Sequence, residues 1–227
     1  MRLDKFLAHN GFGSRKDVKK IIKSRVVEVN DEVILDPGYK LDIEKDEVVV
    51  EDININYKKE VYYMLNKPAG YISSHDNSLY PSVLELIGDL RPDLILVGRL
   101  DLDTEGLLIV TSDGKFSHQV SHGKKDVLKQ YYVELEKDFD QSFISELEKG
   151  IEIDGDLLKP AKVEVLDDKS ILLSISEGKF HQVKKMMNYC NNEVLYLRRE
   201  KIGNLVLDEN LRLGEYRQLT AEELESI

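Results

Sequence analysis

The residue types best suited to chemistry are concentrated in one short segment, from Gly98 to Leu108. It places four charged side chains between two apolar runs, and these are Arg99, Asp101, Asp103 and Glu105. A loop held between rigid strands is a usual position for catalytic groups. The segment is therefore the first candidate site, although the two aspartates could equally be turn residues with Thr104 as a cap.

A metal site is the less favoured interpretation of this chemistry. Alternating acids could hold a divalent ion, but the segment lacks the long oxygen-rich run and the central glycine of the familiar calcium loop. Three histidines, His118, His122 and His181, have no cysteine cluster beside them, and the stretch around Ser117 and Ser121 predicts a loop. We therefore predict no metal, and phosphate contact or ordinary surface placement for these histidines.

The cations are unevenly distributed in a chain whose net charge is −11. Residues 1–25 hold eight Lys or Arg against two Asp. Ser14 is suited to cap a helix whose apolar stripe is Val18, Ile21 and Ile22. The opposite face carries Arg15, Lys16, Lys19, Lys20 and Lys23. Because a phosphate backbone responds to local clusters of cations, this face predicts RNA binding, with a merely solvated surface as the alternative.

A second basic concentration runs from Gly178 to Lys201. It contains Lys179, Lys184, Lys185, Arg198, Arg199 and Lys201 against two Glu. Lys124, Lys125 and Lys129 add to it. Neighbouring residues of a helix point about 100° apart, so only one of Lys184 and Lys185 can aim at a given site. We expect a cationic rim that focuses RNA on one groove of an acidic protein.

Residues 1–58 are predicted to form a small separate module. The pattern indicates two short helices, a tight turn at Asn30-Asp31 between short strands, a further strand at 48–50 and a polar linker from Asn54 to Glu60. Two helices followed by a small sheet, with cations on the second helix, suit docking on folded RNA.

Residues 61–227 are predicted to form one α+β domain with a mostly antiparallel sheet, because strands outnumber helices and do not alternate with them. Strands are expected at 61–65, 94–97, 107–111, 131–136, 162–166, 170–176 and 194–197. Helices are expected at 81–90, after Asp140, at 182–189 and after Thr220, where Glu223 completes a capping box.

The bulk composition indicates a folded protein outside the membrane. With 41% hydrophobic and 33% charged residues the chain can build a core, and it has no run of about eighteen apolar residues. The lone Cys190 cannot form an internal disulfide, which favours a small buried thiol and a cytoplasmic protein. We take a monomer as the expectation.

Several segments, in order along nearly the whole chain, resemble the pseudouridine synthases of the RsuA type. The first seven residues and the helix after Ser14 resemble the S4 RNA-binding module of that family. The catalytic-domain segments are Met64-Leu65-Asn66-Lys67-Pro68, the run from Gly98 to Gly114, Lys129-Gln130-Tyr131, the run from Ser176 to Met186, and the closing stretch from Gly214 to Thr220.

The resemblance implies the isomerisation of a uridine in ribosomal RNA to pseudouridine, without a cofactor. It assigns the nucleophile to Asp101, the aspartate directly after Arg-Leu, rather than to Asp103, a position where the family tolerates other residues. A carboxylate can attack, form a covalent intermediate and leave. A buried Asp101 needs a cation to stay ionised, and the resemblance gives that role to Lys184. It gives Tyr131 a position against the target base, whereas Tyr132 is predicted to lie in the core.

The resemblance also implies how the RNA is bound. A uridine in a stack must be flipped out, and Arg99 is expected near the vacated position, with an ion pair to Asp103 or Glu105 as the alternative. Lys179 and Lys185 are expected to contact phosphate. The form of the motifs resembles the 16S small-subunit enzymes, acting on rRNA or an assembly intermediate. The alternatives are a 23S enzyme, a non-catalytic RNA-binding or ribosome-assembly protein, and a glycoside hydrolase, for which a second matched carboxylate is missing.

Overall fold

A computed structural model describes residues 1–55, 57, 60–89, 91–122 and 126–227, with the side chain of His122 excepted. The chain divides into two compact units. The N-terminal unit comprises Met1–Val61 with Ile87–Leu94, and the C-terminal unit comprises Tyr62–Leu86 with Ile95–Ile227. The predicted domain limits, 1–58 and 61–227, stay a prediction.

The N-terminal unit has two helices followed by a small antiparallel sheet, as predicted. The helices are α1 (Leu3–His9) and α2 (Arg15–Lys23), and the strands are β1 (Val27–Val29), β2 (Glu32–Val33), β3 (Val48–Val50) and β4 (Ile53–Asn54). The strand order is β2-β1-β3-β4. The side chain of Ser14 caps α2 by accepting a hydrogen bond from the backbone N–H of Asp17.

A single apolar core holds this unit together. The helices contribute Leu3, Phe6, Leu7, Val18 and Ile22, all 2% exposed or less. Alternate valines of β1 and β3 face them, as the period of a strand requires. Because one side of α2 is buried here, its cationic side is left for solvent.

The C-terminal unit is built on a large sheet. Its strands are β5 (Tyr62–Lys67), β6 (Ile95–Val97), β7 (Glu105–Thr111), β8 (Lys129–Leu135), β9 (Glu152–Ile153), β10 (Asp156–Leu157), β11 (Lys162–Asp167), β12 (Ser170–Ile175), β13 (Val194–Ile202), β14 (Leu205–Val206) and β15 (Tyr216–Gln218). The main order is β11-β12-β8-β13-β7-β5-β15, with β6 beside β7 and β14 beside β13. Strands β9 and β10 form a separate hairpin.

Among the described strands, β7 and β13 pair in parallel and the other pairs are antiparallel. The helices of this unit are α3 (Gly114–His122), α4 (Ile144–Leu147), α5 (Gln182–Tyr189) and α6 (Ala221–Glu225), with 3-10 turns at Val83–Leu86 and Gln141–Phe143. The predicted α+β class with a mostly antiparallel sheet is therefore confirmed, and so is the capping box of α6.

Two predicted elements of this unit are wrong. The helix expected at 81–90 is a single 3-10 turn, Val83–Leu86, because Gly88 and Pro92 follow closely and both oppose a continuing helix. The loop expected around Ser117 and Ser121 is helix α3. Its start is capped by Asp113, whose carboxylate accepts hydrogen bonds from the backbone N–H groups of the first turn.

The described residues include no helix long and apolar enough to cross a membrane. Cys190 is a free thiol that is 5% exposed, as predicted. Burial raises the pKa of the Cys190 thiol to about 11, so this thiol is not activated as a nucleophile.

Candidate active site

The loop that carries Asp101 joins β6 to β7, two neighbouring antiparallel strands. Both strands are held in the sheet, so the two ends of the loop are fixed. Gly98 begins it with φ +74°, a conformation that an L side chain rarely adopts. The N–H of Thr104 donates to the carbonyl of Asp101 at 3.2 Å and closes a turn around the aspartates.

A fully buried lysine supports this loop from beneath. Lys67, the last residue of β5, is 0% exposed. Its Nζ donates to the carbonyls of Thr104 at 2.7 Å, Pro68 at 3.0 Å and Leu102 at 3.4 Å. Burial lowers the pKa of the Lys67 ammonium to about 8, against the opposing pull of nearby carboxylates. Lys67 therefore positions the loop, and sequence reasoning missed it because its motif indicated only the end of a strand.

Two further groups from the same stretch of chain fix the loop. The hydroxyl of Ser73 donates to the carbonyl of Leu100 at 2.9 Å and accepts from its N–H at 3.1 Å. The N–H of Gly70 donates to the carbonyl of Leu102 at 2.8 Å. These hydrogen bonds hold the loop at residues 100 and 102, and Asp101 lies between them.

Gly106 brings the loop against β13. It has φ +98°, and a Cβ at this position would lie 2.3 Å from the carbonyl oxygen of Arg199. Only glycine allows the backbones of β7 and β13 to approach this closely. The approach sets the side chains that precede β7 beside those of β13 and β8.

The structure brings Asp101 and Lys184 together, but not as a simple pair. The Asp101 side chain is 30% exposed, so the prediction of a buried carboxylate is wrong. Lys184 Nζ lies 3.7 Å from Asp101 Oδ2, whereas it lies 2.6 and 2.8 Å from the two oxygens of Asp103. Desolvation opposes ionisation of Asp103, but the hydrogen bonds and the charge of Lys184, together with smaller contributions from the loop backbone and His181, outweigh it and hold the pKa of Asp103 below its ordinary value. Lys184 is thus shared between two carboxylates.

His181 contributes a contact that the sequence did not assign. Its Nε2 lies 3.7 Å from Asp101 Oδ1. The residue begins α5 with φ 53° and ψ 30°, a left-handed conformation that is uncommon outside glycine. This backbone turns the imidazole toward the loop instead of along the helix. Because His181 follows an ordinary polar pattern, no periodicity could have revealed the conformation.

Tyr131 lies on the side of β8 that faces the candidate site. It is 6% exposed, and Tyr131 and Asp101 line one cleft. Tyr132 points to the opposite face, where it is half-buried, donates to Glu134 Oε1 at 3.0 Å and meets the ring of Tyr196 edge-on. The prediction of Tyr132 as a core residue is wrong, because the sheet face it occupies is the more open one.

The catalytic cleft, as we name it, has an open volume of about 420 Å³, including solvent. Its walls come from the Asp101 loop, β8, β12, β13 and the start of α5. The predicted residues that line it are Arg99, Asp101, Tyr131, Lys179 and Lys184. Arg99 is exposed there, and among the described residues no carboxylate pairs with it, so the alternative of an ion pair with Asp103 or Glu105 is not seen.

The other predicted RNA-binding cations lie elsewhere. Lys185 pairs with Asp154 at 2.7 Å and lines a neighbouring cleft. The five cations of α2 belong to the N-terminal unit, where all are exposed. Among the described residues, Lys20 is the one of these five with a carboxylate partner, Asp17 at 3.7 Å.

Part of the predicted cationic rim is internal. Lys129 is 8% exposed and Arg199 is 1% exposed, so neither can serve as a surface cation. Lys129 donates to the carbonyl of Val127 and Arg199 to that of Leu107. Burial lowers the pKa of Lys129. Lys124 and Lys125 fall outside the described residues, and Arg198 is paired with Glu200.

Where the chain is described, no group of three or more His, Cys, Asp or Glu side chains is arranged to hold a metal ion. His118 is exposed on α3, and the side chain of His122 lies outside the described part. The contents of the catalytic cleft are instead one half-exposed carboxylate, a shared ammonium, an imidazole and a buried tyrosine. This set suits nucleophilic and proton-transfer chemistry.

Comparison with known proteins agrees with this chemistry. Residues 61–189 match the RNA pseudouridylate synthase family, and residues 1–48 match the S4 domain. The chain is 42% identical to an uncharacterized RNA pseudouridine synthase of Bacillus subtilis, covering 99% of this chain and 97% of the relative. It is 39% identical to ribosomal small subunit pseudouridine synthase A of Haemophilus influenzae, covering 100% and 99%.

A crystal structure of a pseudouridylate synthase superposes with a TM-score of 0.71 at 39% identity, covering 100% of this chain and 99% of the other. Sequence motifs, fold and full-length relatives therefore agree. The chain belongs to the RNA pseudouridylate synthase family, and it is an isomerase with an S4 domain at its N-terminus.

Proposed function

We propose that this enzyme converts a uridine of small-subunit ribosomal RNA to pseudouridine, with Asp101 as the nucleophile. One observation carries the chemistry: the Asp101 carboxylate stands in an open cleft between Lys184, His181 and the buried Tyr131. The substrate rests on full-length relatives at about 40% identity that are named ribosomal small subunit pseudouridine synthase A. A ribosomal substrate would place the enzyme in the cytoplasm, and we propose that it acts as a monomer.

The reaction breaks the bond between N1 of uracil and C1′ of ribose and forms one between C5 and C1′. The proton on C5 is lost, and N1 gains a proton, so the composition is unchanged. Asp101 attacks either the sugar or the base, holds the intermediate covalently and then leaves. No oxidant or external energy source is required, because the product has the same composition and oxidation level as the substrate.

Lys184 and His181 flank the nucleophile and stabilise its charge. The ammonium of Lys184 needs to move by little more than an ångström to shift its closest contact from Asp103 to Asp101. Asp103 thus acts as a holder for this cation rather than as the nucleophile. When Asp101 becomes an ester and loses its charge, the same cation can return to Asp103.

Tyr131 supplies the surface against which the uracil ring packs, and its hydroxyl is suited to moving the C5 proton. The base reaches the catalytic cleft only after it is flipped out of its stack, which costs a few kcal/mol. Arg99 is exposed at the cleft, where a planar guanidinium can stack in the vacated position or bind phosphate. Lys179 and Lys185 contact the phosphates of the same strand.

We propose that residues 1–58 form a separate RNA-binding module whose α2 cations attract the substrate. Five exposed cations on one short helix provide the sequence-independent part of RNA affinity. The catalytic cleft then decides which nucleotide reacts.

The test is to map the pseudouridines of ribosomal RNA in a strain that lacks the gene. We expect one pseudouridine of 16S RNA to disappear, to return with the wild-type gene and not to return with Asp101→Ala. Loss of a 23S pseudouridine instead would reassign the subunit. An unchanged set of pseudouridines would contradict the proposed function. Restoration of the pseudouridine by Asp101→Ala would contradict the role of Asp101, because this variant lacks the proposed nucleophile.

A further inference from the structure

A second cleft adjoins the catalytic cleft. It lies between the β9–β10 hairpin and the start of α5 and has an open volume of about 410 Å³, including solvent. Lys179 and Gln182 line both clefts. We name it the flanking cleft. Because the two clefts share these residues, a single strand of RNA can occupy both with consecutive nucleotides.

The flanking cleft displays an aromatic ring that the fold does not use. Phe180 is 74% exposed, so most of the apolar surface that would make a phenylalanine useful to a core stays in contact with solvent. Its ring stacks on the imidazole of His181, with centroids 3.8 Å apart and planes within 19°. The same imidazole lies 3.7 Å from Asp101. The Phe180 ring is therefore linked to the proposed nucleophile through one intervening side chain, His181.

The floor of the flanking cleft is formed by buried and half-buried side chains, most of them apolar. Leu158 is 4% exposed and Ile153 is half-buried. Gln182, also 4% exposed, has both ends of its amide bonded, since its oxygen accepts from Lys179 N–H and its nitrogen donates to Glu177. A flat apolar body could pack here without leaving a buried polar group unpaired.

The rim of this cleft carries two lysines, and each is paired with an exposed aspartate. Lys179 pairs with Asp156 at 3.1 Å and Lys185 pairs with Asp154 at 2.7 Å. Lys185 Nζ also lies 5.7 Å from the centroid of the Phe180 ring. The two aspartates are 66% and 69% exposed, so these pairs are weak and a phosphate can replace the carboxylates. The rim thus offers two lysines to a phosphate that enters the flanking cleft.

We propose that the flanking cleft holds an unpaired nucleobase, the immediate neighbour of the target uridine, stacked on Phe180. Lys179 and Lys185 then bind the phosphates that join the two nucleotides. This inference rests on the proposed function and adds a requirement: the nucleotide on one side of the uridine leaves its helix together with it. Proteins that bind single strands use exposed aromatic rings beside cations in this way.

The experiment measures the affinity of the full chain for a short single-stranded RNA with one uridine between two adenosines. Two further RNAs replace the adenosine on one side or on the other with an abasic nucleotide. The proteins are wild type, Phe180→Ala, Phe180→Trp and the control Leu195→Ala, which removes an apolar side chain that is 67% exposed on β13. Thermal melting of each variant checks that it is folded.

We expect Phe180→Ala to bind the intact RNA roughly tenfold more weakly, since stacking of one base on an aromatic ring has about this effect. It should bind one of the two abasic RNAs as tightly as the wild type does, because that RNA lacks the stacked base. Phe180→Trp should keep the affinity, and Leu195→Ala should match the wild type on all three RNAs.

Wild-type affinity of Phe180→Ala for the intact RNA would overturn the inference. So would an equal loss on both abasic RNAs, which would mean that no particular neighbour is stacked. These are binding measurements and need no turnover, whereas the proposed function is decided by the pseudouridine map. If Phe180→Ala shows the expected binding losses but deletion of the gene leaves the pseudouridine map unchanged, the proposed function is rejected and the base-binding role of the flanking cleft is retained.

Discussion

The two basic regions of this protein handle their cations differently. On α2, five cations are exposed, and among the described residues Lys20 alone pairs with a carboxylate. Around the two clefts, Lys179, Lys184 and Lys185 each have a carboxylate partner within 3.1 Å. The first arrangement attracts any phosphate backbone. In the second, a phosphate can bind a lysine only if it displaces the carboxylate that is already paired with it.

This difference teaches how a protein of net charge −11 can act on RNA. In the proposed function, the cations on α2, of which Lys20 alone has a carboxylate partner among the described residues, supply affinity that depends on salt and not on sequence. Paired cations at the clefts add little to that affinity. They weaken the binding of an RNA that does not fit, because such a strand displaces the carboxylates without forming compensating interactions. We therefore propose that RNA affinity and RNA selectivity reside in separate regions.

Among changes to the cations, loss of the shared ammonium of Lys184 should have the largest effect. We expect Lys184→Met to lower the rate of isomerisation at saturating RNA by about 100-fold or more, because removing one preorganised charge-stabilising group has this size of effect. RNA affinity should change by less than about threefold, because Lys184 faces carboxylates rather than phosphates. Single-turnover kinetics check the rate, and Lys162→Met, an exposed lysine of β11, is the matched control. If Lys184→Met bound RNA more weakly but kept the wild-type rate of isomerisation, the proposed difference between the two basic regions would be contradicted.

Loss of charge on α2 should do the reverse. We expect the combined change Lys16→Gln, Lys19→Gln and Lys23→Gln to weaken RNA binding by about tenfold or more near physiological salt. The slope of log affinity against log salt should become shallower by roughly 0.7 to 0.9 for each phosphate that the variant no longer neutralises. Titrations at several salt concentrations measure both.

The rate at saturating RNA should stay at the wild-type value in this variant. Replacement of Lys40 and Lys45, two exposed lysines of the same unit outside α2, with glutamine is compared with the double change Lys16→Gln and Lys19→Gln as the control for simple loss of charge. A fall in the saturated rate of the α2 variant would mean that the two basic regions do not have separate tasks.

Freeing the paired lysines should have a smaller effect. We expect Asp154→Asn with Asp156→Asn to strengthen binding of all RNAs by about two- to fivefold, since exposed ion pairs contribute about 0–1 kcal/mol each. Discrimination between substrate and unrelated RNA should fall. The control, Glu164→Gln with Asp168→Asn, removes the same charge from the neighbouring hairpin. Equal gains in both double variants would show that net charge, and not pairing, limits affinity.

The smallest effect concerns stability and distinguishes the buried cation from the exposed ones. The pKa of Lys67 is about 8 in the folded protein, against an ordinary value of 10.5. Between these two values the unfolded chain binds more protons than the folded chain, so this group makes the free energy of unfolding rise with pH. Chemical denaturation should show this rise in wild type relative to Lys67→Met, and Lys16→Met should behave as wild type. Parallel pH profiles for wild type and Lys67→Met would contradict the burial of a charged Lys67.

The sequence was sufficient for the parts of the fold that rest on periodicity. The stripe of α2, the short strands around Asn30-Asp31 and helix α5 at Gln182–Tyr189 follow from apolar spacing and capping residues. It failed where composition misled. The serines of α3 suggested a loop, because the capping carboxylate of Asp113 lies outside the stretch that they occupy.

The site was predictable as a set of residues but not as a set of contacts. Motif order pointed to Asp101, Tyr131 and Lys184, and the structure puts them in one cleft. The sharing of Lys184 with Asp103, the left-handed His181 and the support from Lys67 arise from backbone conformation and from strand pairing far apart in sequence. No spacing rule contains that information, so these contacts appear only when the chain is folded.

The most direct test compares the two carboxylates that share Lys184. Pseudouridine formation is measured in single turnover on the same RNA for Asp101→Asn and Asp103→Asn, with RNA affinity measured alongside. The nucleophile assignment predicts no detectable product with Asp101→Asn, and a rate within about tenfold of wild type with Asp103→Asn, because a holder of the cation contributes less than the attacking group. Product formation by Asp101→Asn at a rate comparable to that of wild type, or abolition by Asp103→Asn alone, would contradict it.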